Sequence, residues 1–196
     1  MPRSRPARSA RHPGVFSLAA AGAIALVLSG CVGAPEPTPT PSTPTDAAEP
    51  IFASDEEALA AAEEAYERFL VATAEVTGSG GTDLGPLAGV AIGDANDAQI
   101  ETAASYVEDG LRSIGRRTFV TYELQSHDED PSRGAVVAFY VCDDLRGLDV
   151  VDINGASVVS PDRVLDVPYL VVAEGRAAND LEISAKDLWE RENFCG

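Results

Sequence analysis

Histidine is nearly missing from this 196-residue chain: only His12 and His127 occur, alongside three cysteines. No cysteine or histidine cluster stands at metal-ligand spacing, so the usual structural and catalytic zinc sites are excluded. There is no glycine-rich phosphate loop and no Gly-x-Ser-x-Gly elbow, which removes two large enzyme classes. No metal and no other cofactor is expected. Positive charge is also scarce, with 14 Lys and Arg against 32 Asp and Glu and a formal net charge of -18. Four of the arginines, Arg3, Arg5, Arg8 and Arg11, precede Cys31 in a stretch without a single acid. The chain beyond Cys31 is therefore still more acidic. Such a surface repels phosphate backbones and anionic lipid head groups, so nucleic-acid binding is disfavoured and none is expected. The longest apolar run, residues 15–28, is too short for a comfortable permanent membrane span.

That run has a recognisable setting. A basic segment, an apolar segment and then small residues form the pattern of a secretory signal peptide. It ends in "LSGC". The stretch Leu28-Ser29-Gly30-Cys31 resembles a bacterial lipobox. That resemblance implies cleavage before Cys31, recognition of Leu28, Ser29 and Gly30 by the signal peptidase, and a diacylglycerol on the Cys31 sulfur. Residues 1–30 are then a discarded address. The membrane becomes a partner through diacylglyceryl Cys31, and the protein sits on the extracytoplasmic face of the cell membrane. Two acyl chains anchor stably where one is marginal.

Residues 31–53 are rich in proline and threonine after Cys31 and poor in large apolar side chains. They cannot bury enough surface to fold, and alternating proline favours an extended tether. Residues 54–196 are read as one α+β domain.

Ser54-Asp-Glu-Glu57 is a capping box that opens a helix. Leu59, Ala62, Tyr66, Phe69, Thr73 and Val76 mark its buried stripe, and the glycines from Gly78 end it. "PLAGVAI" reads as a helical turn. Asn96 or Asp97 is expected to cap a second helix, with Ile100, Ala104, Val107, Leu111 and Ile114 buried and Gly115 at its C-terminus. The pattern then turns to strands. These are expected at 118–126, at 135–143 as a central strand, and in "GLDVVDI", with tight-turn Asn154-Gly155 and a return through "ASVVS". Two more, 168–175 and 180–185, flank "RAAN". "HDEDPSRG", 127–134, is read as a polar turn. Helices first and an antiparallel sheet after them argue for helices packed on one face of a curved sheet.

The Ala-rich "EEALAAAEEAYERFL", "GLRSIGRRTF", "VCDDLRGLDVVDINGASV" and the ending "LWERENFC" together resemble actinobacterial lipoproteins with a nuclear-transport-factor-2-like domain. That is the cone-shaped fold of the cystatin-like superfamily. The resemblance covers residues from about 55 to 195 and implies a fold and a place, not a reaction. It also implies that Cys142 and Cys195 are joined. Cysteine arithmetic agrees: if Cys31 carries lipid, one pair remains in an oxidising compartment. The rival reading, a catalytic thiol, needs a base, and His127 is the one histidine left.

Other candidates are thin. Asp152-Ile-Asn154-Gly155 starts like a calcium loop, yet Ala156 breaks the ligand spacing, and a hairpin turn fits better. The cone-shaped fold hosts ketosteroid isomerases and scytalone dehydratases, which use a pocket acid or a His–Asp pair together with tyrosines. Tyr106, Tyr122 and Tyr140 are the candidate pocket residues here, with Asp143 or Asp144 at the rim. Fold alone does not give function. The expectation is a non-enzymatic domain that binds a small apolar ligand or another envelope protein. The alternative is an isomerase-like enzyme, which needs a buried carboxylate beside Tyr122 or Tyr140 in a closed pocket.

Overall fold

A computed structural model describes residues 49–196. The expected signal peptide, Leu28, Ser29, Gly30, Cys31 and the tether up to residue 48 lie outside the described residues. No helix among the described residues is long and apolar enough to cross a membrane.

Helix α1 spans Asp55–Gly78. Ser54 caps it, its hydroxyl accepting from the Glu57 amide at 3.3 Å. The return bond of the box goes to Ala53 N–H, at 2.9 Å from Glu57 Oε2, one residue earlier than the usual pattern. Three acids in the first turn suit the positive end of the helix dipole. Its buried face carries Ala58, Ala62 and Ala65 beside Tyr66, Phe69, Leu70 and Val76. Alanines on that face let the helix lie close to the sheet, while the larger side chains fill the core around it. Phe69 and Phe139 are almost wholly buried, each contributing about 1.5–3 kcal/mol by area. A short 3-10 turn at Gly85–Leu87 matches the expected helical turn.

Helix α2, Gly93–Asp109, starts earlier than expected. Ile92 is its N-cap and makes no side-chain cap bond, so neither Asn96 nor Asp97 caps it. The expected apolar stripe is wrong as well. Ile100 and Val107 are 42% and 55% exposed, while Ala95 and Ala103 are buried. The helix docks through these small residues, and the turn after α1 meets its backbone closely: a Cβ on Gly81 would collide with the Ala103 backbone, so that position requires glycine. Gly110, at φ 64°, ends α2 in the left-handed region, five residues before the expected Gly115.

Residues expected to finish that helix form strand β1, Arg112–Gly115. It pairs antiparallel with β4, Leu148–Val151. Gly115 is needed for a different reason: a Cβ there would collide with the Gly147 carbonyl at the end of this ribbon. The main sheet has the order β2-β3-β5-β6, all antiparallel. These strands are β2 Thr118–Asp130, β3 Gly134–Asp144, β5 Asp166–Gly175 and β6 Glu182–Leu188. Two helices packed on an antiparallel sheet make the domain α+β, with α1 covering the central strands.

Strand β2 runs to Asp130, so 127–130 belong to a strand and the turn shrinks to three residues. Asp130 holds that turn by accepting from the Ser132 and Arg133 amides. The turn at Asp152 is confirmed: Asp152 Oδ1 accepts from the amides of Asn154 and Ala156. The expected return strand beyond it reduces to one bridge, Val151 to Ser157.

Candidate functional site

Strand β3 organises two different environments because successive side chains point to opposite faces. Phe139, Val141 and Asp143 face α1 and are fully buried. Tyr140 and Cys142 face the other way.

On the outer face, Cys142 is bonded to Cys195, with Cα atoms 5.5 Å apart. The bond brings the C-terminal segment back across the sheet. Phe194 lies with its ring centroid 4.7 Å from Tyr122 and 5.7 Å from Tyr140. Trp189 meets Tyr140 edge-on at 5.1 Å. The four rings line an open cleft of about 530 Å³, with Glu123, Arg191, Glu192 and Asn193 completing it. Tyr122 remains 56% exposed. The Asn193 side chain is used internally, since its Oδ1 accepts from Cys195 N–H at 2.9 Å. The Arg191 guanidinium lies over Trp189, 5.1 Å from the ring centroid.

On the inner face, Asp143 is completely buried and surrounded by donors. The Tyr66 hydroxyl donates to Oδ1 at 2.8 Å. Lys186 Nζ stands 2.9 Å from Oδ2, and Arg117 reaches the same oxygen at 3.5 Å. Lys186 also lies 3.3 Å from the centroid of the Tyr169 ring. Burial pushes the Lys186 ammonium down to about 7; the nearby charge of Arg117 adds to this, and Asp143 opposes it. Burial, then the Asp143 charge, pushes the Tyr66 hydroxyl well above its ordinary value. An acid, an ammonium and a phenol could move protons, but here they satisfy one another.

The three tyrosines proposed for one pocket are thus divided. Tyr122 and Tyr140 share the aromatic cleft. Tyr106 is on α2, beside Arg116 and Arg117 at a hollow of about 70 Å³. Asp143 is not at a rim, and Asp144 is a surface residue paired with Arg146 at 3.1 Å. No local signal marks the partners of Asp143: Lys186 is the chain's one lysine, but it stands on the edge strand β6, beyond the expected strand 180–185.

His127 is also relocated. Its ring is mostly buried, T-shaped against Phe52, with Nδ1 3.2 Å from Asp55 and Nε2 3.1 Å from Glu129. Glu129 accepts from the amides of Ile51 and Phe52 at 2.7 and 2.9 Å. This clasp fastens the start of the domain to β2. No group of three or more His, Cys, Asp and Glu side chains is arranged to hold a metal ion among the described residues.

No protein-family model matches the chain, and no curated protein matches it. Among solved structures, it is similar to the intermembrane space region of the chloroplast protein ARC6. The TM-score is 0.46 at 14% identity, over 65% of this chain and 92% of that one. A likeness of that size carries no argument about function.

Proposed function

We propose that this is a lipid-anchored, extracytoplasmic binding protein of the actinobacterial lipoprotein type. In this reading Cys31 carries the diacylglycerol, the Pro/Thr-rich segment is the tether, and a nuclear-transport-factor-2-like domain presents the aromatic cleft to a small ligand or an envelope protein. One observation carries the binding reading: Tyr122, Tyr140, Trp189 and Phe194 converge on an open cleft instead of a filled core. Rings of this kind supply large contact area at little entropic cost, and binding clefts are typically apolar with a few polar groups.

The isomerase-like alternative has one observation in its favour, the Tyr66–Asp143 hydrogen bond. Its weakness is that the acid and the cleft tyrosines lie on opposite faces of the sheet. Neither Asp143 nor Tyr66 lines the aromatic cleft.

Two measurements test the proposal. Intact mass of the membrane fraction should show a diacylglycerol on Cys31; an unmodified chain refutes the anchor. Trp189 is the chain's one tryptophan, so its emission reports the cleft directly. Titration of the full mature chain with small aromatic and apolar solutes should change that emission saturably. Tyr122→Ala should weaken the effect. Emission indifferent to every solute refutes the binding reading.

A further inference from the structure

We infer that the ligand of the aromatic cleft carries a positive charge: a small organic cation with an ammonium or guanidinium head. This rests on the reading of the cleft as a binding site and narrows it from a merely apolar ligand. Three observations converge.

The first is the rings. Tyr122, Tyr140, Trp189 and Phe194 lie within a few ångströms of one another, with centroid separations of 4.7 to 6.2 Å. The face of an aromatic ring is electron-rich and attracts a cation within about 6 Å of its centroid. All four rings line the cleft, and Tyr122 is 56% exposed there, so a cation in the cleft lies beside more than one ring.

The second is the polar groups. Glu123 and Glu192 line the cleft, and neither has an ion-pair partner among the described residues. A wholly apolar ligand would take water from these carboxylates and give nothing back. An anion would be repelled by them. A cation would be attracted to both, and the acidity of the whole chain raises its local concentration.

The third is the protein's own cation. Arg191 stands between Glu190 and Glu192 in sequence and makes no ion pair among the described residues. Its guanidinium lies over Trp189 instead. The chain has thus placed a cation on one ring of the cleft, which shows the kind of head group that the ring surface accepts. Arg191 is exposed and can swing away, so a ligand cation would compete with it.

The test uses choline as the probe and 3,3-dimethyl-1-butanol, which has nearly its shape without its charge, as the control. Both are titrated into the full mature chain with Trp189 emission as the readout. Choline should bind about tenfold more tightly than the alcohol, and added salt should weaken it. Replacing Glu123→Gln and Glu192→Gln together should reduce choline affinity and leave the alcohol unchanged. Arg191→Ala should strengthen choline binding by removing a competitor and a like charge. These side chains are exposed, and unchanged circular dichroism would show that the variants fold. If the alcohol binds as well as choline, the inference of a cation falls while the cleft reading stands. If neither moves Trp189 emission while an aromatic solute does, the inference falls and the cleft reading stands; if no solute moves it, both fall. Preference for an arginine-containing peptide over choline, with the alcohol inert, would keep the charge and overturn the small solute.

Discussion

Cys142 and Asp143 are neighbours in β3, yet one is tied to the C-terminal segment on the outer face and the other is buried beneath α1. That single alternation separates what the domain displays from what holds it together. The aromatic cleft belongs to the first, and the Asp143 cluster to the second.

Breaking that cluster on one side should be costly. Lys186→Met leaves Asp143 buried with Tyr66 and a more distant Arg117. The variant should lose about 3–5 kcal/mol in denaturant unfolding. Lys186→Met combined with Asp143→Leu and Tyr66→Phe should recover most of it, because neither an uncompensated carboxylate nor an unpaired buried hydroxyl then remains. A single variant as stable as the parent would show that the pair carries no structural weight.

The same lysine should impose a pH slope. It titrates at about 7 in the folded state, against roughly 10.4 in an unfolded chain. Between those values the unfolded chain holds a proton that the folded chain has released. The lysine's contribution to stability therefore rises with pH across that window and is least favourable below it. Unfolding midpoints of the parent relative to Lys186→Met should climb from near pH 7 toward pH 10. The chain's one lysine also permits direct titration of its Nζ by NMR. A midpoint near the ordinary lysine value, with no relative slope, would contradict this.

The clasp at the domain's start should open in acid. The Ile51 amide, with help from that of Phe52 and from His127, holds the Glu129 carboxyl below its usual range. A depressed carboxyl stabilises the folded form above its unfolded pKa and loses that effect as pH falls through its folded value. Exchange protection at the Ile51 and Phe52 amides should therefore be lost as the pH falls through that lowered value, below the ordinary glutamate range. At neutral pH, Glu129→Ala should abolish it, and His127→Ala should reduce it. Protection unchanged in both variants would mean that the clasp is not formed in solution.

The disulfide should hold the cleft together. By the chain-entropy model, closing 53 residues of separation stabilises the fold by about 4 kcal/mol. Cys195→Ser should lower stability by an amount of that order. It should also shift Trp189 emission toward that of a solvated indole, since the C-terminal segment is no longer tied to Cys142. Unaltered emission would show that ring packing alone positions the segment.

Legibility in the sequence depends on how local each signal is. The Ser54–Glu57 box can be read because its partners are three residues apart. The family resemblance and the cysteine count both point to Cys142 and Cys195 as a pair. Most of what the sequence hides is tertiary. Ile100 and Val107 have helical spacing, yet α2 rests on Ala95 and Ala103, and the close approach of Gly81 to the Ala103 backbone is a contact made across the fold. Gly110 and Gly115 both have positive φ, and the sequence does not say which ends the helix and which lets two strands approach. Residues 127–130 look like a polar turn because three of the four are acids, yet they pair with residues 134–137 in the β2–β3 hairpin, while Asp55 and the amides of Ile51 and Phe52, which meet His127 and Glu129, lie more than 70 residues away. Tyr122 and Tyr140 read as pocket residues, but no local signal shows that the tail from Trp189 to Phe194 walls their cleft.

Chemical-shift mapping tests most directly whether ligands meet the outer cleft or the buried acid. Choline and 3,3-dimethyl-1-butanol would each be added to the full mature chain. The account predicts movement of the Trp189 indole and the Tyr122 and Tyr140 ring resonances, with the Tyr66 ring and Lys186 Nζ unmoved. Shifts centred on Tyr66 and Lys186, with the cleft rings unchanged, would contradict it.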